Sequence, residues 1–148
     1  LGRDMEFPER AGILIESPAF LEHDSGYQNL KLLASIRREA DDKRIRETLE
    51  RVGLDPEDKK KYKKYSLGMK QRLGIAAAIL EKPDILILDE PVNALDSDGA
   101  DMVREVIREE KERGALIVMS CHDADFLNEM TDVIYELKEG RLMRGGDV

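Results

Sequence analysis

Two acidic residues stand side by side, Asp89 and Glu90, after the apolar run Ile85-Leu86-Ile87-Leu88 and before Pro91. A continuous apolar run of strand length that ends in carboxylates places them at the C-terminal edge of a parallel sheet, where open α/β sheets take their ligands. One acid there can hold a hard cation such as Mg2+, directly or through water. Its neighbour points elsewhere and can take a proton from an attacking water. In isolation such a pair is most often a solvated strand end, but this one has company. Ser120-Cys121-His122-Asp123 closes a second apolar run, Ala115 to Met119, so His122 falls at the same sheet edge as Glu90. Upstream, Tyr65-Ser66-Leu67-Gly68-Met69-Lys70-Gln71-Arg72 puts Ser66 and Gly68 at a helix start. Free N–H groups and the helix dipole favour an anion there, phosphate above all; the plainer reading is an ordinary cap. Between these segments, Ala94-Leu95-Asp96-Ser97 leads from the carboxylate pair into another helix.

The elements that must hold these residues follow from period and punctuation. Residues 11–15 read as a short buried strand closed by Glu16-Ser17-Pro18, since Pro cannot donate to a ladder. Gly26 to Ile36 carries an approximate helical stripe, and Asp41 or Asp42 caps a second helix with Ile45, Leu49 and Val52 on one face. Residues 54–64 are polar, a loop or short helix. Ser66 caps a third helix over Leu67 to Leu80, which Pro83 stops. The rhythm then changes. Residues 84–89 form a strand covered on both faces, Ser97 to Arg113 an amphipathic helix, and 115–119 a second buried strand. Asp123 to Met130 is a short helix and 132–137 a third strand, followed by a turn at Lys138-Glu139-Gly140-Arg141 and a last strand starting at Leu142-Met143. This alternation implies right-handed crossovers and an α/β sheet in which 84–89 and 115–119 are adjacent and parallel, while residues 20–82 are mainly helical.

Composition bounds the function. The 148 residues carry 24 Lys+Arg against 32 Asp+Glu, a net charge of −8, with 41% apolar and 38% charged residues. That balance suits one soluble domain, or part of a larger one, and is too apolar for a disordered chain. The longest apolar runs, residues 74–80 and 115–119, are far short of the roughly 20 that cross a bilayer. The lone Cys121 excludes an internal disulfide framework and fits a reducing compartment. No signal peptide is visible, and the chain does not begin with Met. An acidic protein is a poor generic nucleic-acid binder, although residues 37–72 hold 13 basic against 8 acidic groups. Their basic block, Lys59-Lys60-Lys61-Tyr62-Lys63-Lys64, reads first as a solvated connector and second as a phosphate or acidic-partner patch.

In order, residues 66–72, Ile85 to Pro91, Ala94-Leu95-Asp96-Ser97 and His122 resemble the signature, Walker B, D-loop and switch-histidine motifs of ABC transporter ATPases. Each motif alone is weak; four in this order and spacing are highly specific. Residues 15–20 and 27–33 look most like the bacterial ATPases of bacitracin-type and antibiotic-peptide exporters. The departures are informative too. Leu67 and Met69 replace the usual first Gly and the Gln of the signature, and Glu16 stands where most relatives carry the Q-loop glutamine. None of the 11 glycines is followed by Lys, so the G-x-x-x-x-G-K-[ST] phosphate loop is absent from these residues. The resemblance therefore implies the C-terminal portion of a longer domain, inactive by itself.

By that resemblance the fold is a partial P-loop NTPase, with residues 20–82 as the helical signature subdomain and residues 1–19 and 83–148 as part of a RecA-like sheet subdomain. The expected cofactors are ATP and Mg2+. Asp89 is implied as the metal ligand, Glu90 as the base that activates water, and His122 as the contact to the γ-phosphate. Ser66 and Gly68 are implied to bind phosphate across a head-to-tail dimer, Asp96 to cross its interface, and Glu16 to lie near the nucleotide. The expected partners are a second nucleotide-binding domain and a transmembrane permease, on the inner face of the cell membrane, with no nucleic acid. Other readings stay open at this point. One is a regulatory or dimerisation half-module that never hydrolyses. Another is a chromosome-maintenance ATPase lobe, which expects a heptad coiled coil that residues 20–64 lack. The last is a helix-turn-helix in 41–72.

Overall fold

The computed structural model describes residues 10–15, 19–138 and 140–147. Each of the five helices among them opens on a side chain that takes an N–H of the first turn. Ser25 starts α1 (Gly26–Arg37), Asp41 starts α2 (Asp42–Arg51) and Ser66 starts α3 (Leu67–Ile79). Asp96 starts α4 (Ser97–Glu112) and Asp123 starts α5 (Ala124–Met130). A cap of this kind is worth about 1 kcal/mol, so these five residues set where each helix begins. At the other end of α3, Arg44 of α2 donates from Nε to the Leu80 carbonyl and from Nη2 to that of Ile79, both at 3.0 Å. A half-buried guanidinium thus serves carbonyls that the helix leaves without partners. A single 3-10 turn, Tyr62–Lys64, interrupts the polar connector between α2 and α3.

Three strands form one parallel sheet in the order β1 (Ala11–Leu14), β2 (Ile85–Asp89), β3 (Leu116–Ser120). Ile13, Ile87 and Val118 lie in one row across it, and Asp89 pairs with Ser120 at its C-terminal edge. The expected parallel adjacency of the strands at 84–89 and 115–119 is observed. Gly12 explains how the sheet meets α3: a Cβ at this position would come 2.0 Å from the Ala78 carbonyl oxygen. Leu14, Leu86 and Leu88 turn to that side and join Leu30, Ile45, Leu49, Leu73, Ile75, Ile79, Val103 and Ile107 in one buried cluster.

Two expectations are corrected. Among the described residues, the strands at 84–89 and 115–119 are covered on one face only. Leu86 and Leu88 are buried, but the opposite face leaves Ile13, Leu116 and Val118 more than half exposed. The helices among the described residues pack on one side, and a continuous apolar run does not say how many faces are covered. The strand expected at 132–137 forms, but outside this sheet. As β4 (Val133–Lys138) it pairs antiparallel with β5 (Arg141–Asp147) through the turn foreseen near Gly140. The hairpin turn, only a few residues long, brings β5 to β4 at lower chain-closure cost than any crossover.

The helical layer is tied to the sheet layer by charge. Glu110 of α4, only 2% exposed, accepts Arg51 Nη1 of α2 at 2.8 Å. Its other oxygen accepts Arg113 Nε at 3.0 Å and Nη2 at 2.7 Å. Arg51 also pairs with Glu109, and Arg113 donates to the Pro83 carbonyl.

Candidate active site

Asp89 ends β2 and Ser120 ends β3, and because the strands are parallel and in register their side chains meet: the Ser120 hydroxyl donates to Asp89 Oδ1. One residue further, Glu90 turns back on the sheet edge, its N–H donating to the Ser120 carbonyl at 3.0 Å. Its φ is +49°, a left-handed conformation that L side chains disfavour. The turn that follows holds a second such residue, Ala94 at φ +63°. Backbone strain of this kind persists only where the surroundings enforce it.

The enforced position brings Glu90 to His122. Glu90 Oε1 lies 3.2 Å from His122 Nε2, and the His122 N–H reaches Glu90 Oε2 at 3.4 Å. The imidazole is almost fully exposed and Glu90 about a quarter exposed, so both can meet a ligand from solvent. Cys121, between the two strand-end polar residues, is half-buried, and burial pushes its thiol above the ordinary range.

The candidate signature residues sit beside this edge. Ser66 caps α3, its hydroxyl accepting the Met69 N–H at 3.2 Å. Gly68 faces the turn after Glu90: a Cβ there would stand 3.2 Å from the Ala94 carbonyl oxygen. Asp96 takes the Gly99 N–H at 2.9 Å as the cap of α4 and lies 3.8 Å from Arg72 Nη2. Arg72 is anchored in turn by its Nη1, which donates to the Val52 carbonyl at 2.7 Å.

Asp89, Glu90 and His122 are thus brought together at one edge, with Ser66, Gly68 and Asp96 on an adjoining patch. Glu16 lies outside the described residues. Sequence reasoning gave no role to Gln71, whose side-chain amide joins the two patches by donating to the Glu90 and Pro91 carbonyls, both at 3.1 Å. Its residue type gave no signal, since Gln71 stands between the equally polar Lys70 and Arg72. Asp89, Glu90 and the Ser120 hydroxyl are hard oxygen donors and so suit Mg2+. No group of three or more His, Cys, Asp or Glu placed to hold a metal ion by themselves occurs among the described residues. Mg2+ takes one or two protein carboxylates and completes its shell with water and substrate phosphate. No helix among the described residues is long and apolar enough to cross a membrane.

Residues 3–93 match the family model described as ABC transporter. An uncharacterized ABC transporter ATP-binding protein of Bacillus subtilis is 43% identical over 142 residues, covering 96% of this chain and 65% of the relative. The bacitracin transport ATP-binding protein of Enterococcus faecalis is 42% identical over 135 residues, 90% of this chain and 44% of its own length. The lantibiotic transport ATP-binding protein of Streptococcus pyogenes is 37% identical, over 90% of this chain and 58% of its own. The chain therefore spans less than two thirds of each of these curated relatives. Among solved structures, a dimeric ATP-binding cassette in a post-hydrolysis state, bound to ADP and Pi, superposes with a TM-score of 0.79 at 25% identity. That superposition covers 91% of this chain and 62% of the other. With a family match over more than half of its residues and the fold of a solved ATP-binding cassette, the chain belongs to the ABC transporter family.

Proposed function

We propose that this chain is the signature and Walker B portion of an ATP-hydrolysing subunit that drives an exporter of drugs or antibiotic peptides. The observation that carries the proposal is the meeting of Glu90 with His122 beside Asp89, at the C-terminal edge of two parallel strands. Bound Mg2+, held by Asp89 and reached from Ser120, would neutralise charge on the transferring phosphoryl group. Glu90 orients a water and takes its proton as the oxygen attacks the γ-phosphorus and the bond to ADP breaks. His122 donates to the γ-phosphate and, paired with Glu90, keeps the carboxylate aimed. Ser66, Gly68 and the N-terminus of α3 offer N–H groups and a hydroxyl to the phosphate of a nucleotide held by a second domain. Asp96, largely exposed, reaches across that interface. Phosphoryl transfer is mostly positioning and charge stabilisation, so these residues act only with a phosphate-binding loop, which the 148 residues do not contain.

Residues 20–82 serve as the signature subdomain in this reading, and residues 1–19 and 83–148 as part of the catalytic sheet. Glu16 lies near the nucleotide. A membrane permease and a second nucleotide-binding domain are the partners, placing the protein on the inner face of the cell membrane. The dimeric, ADP-bound structural neighbour and the bacitracin and lantibiotic relatives support this.

The test is Mg-ATP affinity and turnover, measured side by side in the whole protein that carries this chain. Glu90→Gln is expected to keep binding and lose roughly 10²–10⁴-fold in turnover. Asp89→Asn is expected to weaken Mg-ATP binding itself, and His122→Ala to slow hydrolysis with binding intact. Wild-type turnover in Glu90→Gln overturns the assignment. The 148-residue chain alone is expected to show no ATPase.

A further inference from the structure

We infer that Gln71 is the positioning residue for Glu90, a strut from α3 that holds the backbone of the base in its left-handed conformation. The inference rests on the reading of Glu90 as the base. Glu90 is not glycine, yet its φ is +49°, and its side chain aims at His122 only while that conformation holds. Two contacts hold the peptide from within its own loop and sheet: the Glu90 N–H on Ser120, and the Asn93 N–H on the Glu90 carbonyl, each at 3.0 Å. Gln71 adds the restraint from outside. Its amide nitrogen carries two N–H groups, and the two carbonyls it meets, Glu90 and Pro91, belong to consecutive residues. Two bonds from one rigid amide fix the orientation of that segment as well as its place.

The strut is built on a helix anchored at its start. Gln71 lies just over one turn from Ser66, which caps α3, and Gly68 lets the same first turn approach Ala94. The next residue, Arg72, ties α3 to Asp96. A displacement of the first turns of α3 therefore carries Gln71 with it and moves the carbonyl of the base. Whatever binds at the N-terminus of α3 is coupled to the aim of Glu90 through one side chain.

Gln71→Met tests this, because Met keeps length and helix propensity and removes both donors. In the whole ATPase the expected result is a fall in kcat, up to roughly 10²-fold for a misplaced group, with KM for ATP unchanged. In a Glu90→Gln background the same substitution is expected to cost nothing further, since the group it positions is already gone. Gln71→Lys, which restores N–H donors, is expected to recover part of kcat, and Gln71→Leu, which also lacks donors, stands in should the Met variant not fold. Equal losses in both backgrounds, a loss in KM alone, no loss, or a folded Lys variant as slow as Met would each overturn the inference. Failure of the underlying reading shows separately, as wild-type turnover in Glu90→Gln alone.

Discussion

Replacing Glu110 by Gln keeps the shape of a buried side chain and removes the charge on which two helices converge. In the native chain its carboxylate takes Arg51 from α2 and Arg113 at the end of α4, with three bonds of 2.7–3.0 Å. Its field also offsets the burial and like-charge repulsion that depress the Arg44 guanidinium. Without it, Arg44, Arg51 and Arg113 face one another, with Glu109 on Arg51 and Glu47 near Arg44 as the remaining compensation. Breaking a buried pair by removing one partner costs about 3–5 kcal/mol. Arg51 and Arg113 retain 19% and 30% side-chain exposure, so water recovers part of their solvation and the lower end, about 3 kcal/mol, is expected. Against the 5–15 kcal/mol typical of a domain that is a large share, and at about 2–4 °C per kcal/mol it lowers the melting temperature by about 6–12 °C. Urea and thermal unfolding of the 148-residue chain, followed by far-UV circular dichroism, read it directly. Glu57→Gln removes the partner of Arg46 in an exposed pair and serves as the control, expected to shift the midpoint little. If Glu110→Gln shifts the midpoint no more than Glu57→Gln, the charge tie between the layers is not a stabilising feature.

Other consequences can be measured in the same chain. Tyr65→Phe deletes the phenol oxygen that takes the buried Gly26 N–H at 3.0 Å, and is expected to lower stability by about 1–3 kcal/mol in urea unfolding. Gly12→Ala is expected to destabilise more than Tyr65→Phe, because its Cβ would meet the backbone of α3 rather than a movable side chain. Burial raises the Cys121 thiol, so less thiolate is present at pH 8 than for a free cysteine. Its alkylation by iodoacetamide should therefore be slower and rise with pH beyond the ordinary thiol midpoint. A midpoint below that of free cysteine contradicts the assigned cause.

What the sequence disclosed was mostly local or strictly periodic. Ser66 and Asp96 mark helix starts because a cap needs only its own first turn. The meeting of Glu90 and His122 was legible because two apolar runs of equal length, joined by a helix, place their ends at one edge. Pairing choices were less so: the run at 132–137 has the period of a strand, and nothing in that period says whether it joins β3 or folds back on its successor. The exposure of Leu116 and Val118 was hidden for a related reason, since an apolar run reports composition and not what stands opposite each face. Gln71 and the Arg51–Glu110 contact were invisible because their partners are distant in the chain, and Gln71 binds carbonyls that every residue possesses.

The left-handed backbone at Glu90 and Ala94 sets two selection pressures against each other. A side chain in that conformation costs about 1–2 kcal/mol, which Gly escapes and Asn partly escapes. A library of this chain sorted only for expression or heat resistance would enrich Gly or Asn at both positions. Sorting the whole protein that carries this chain for the proposed ATP-driven transport would retain the carboxylate at 90 while leaving 94 free to drift. Divergence between the two enrichment maps would then locate chemistry without any nucleotide being seen, because only a functional demand maintains an acid where the backbone disfavours one.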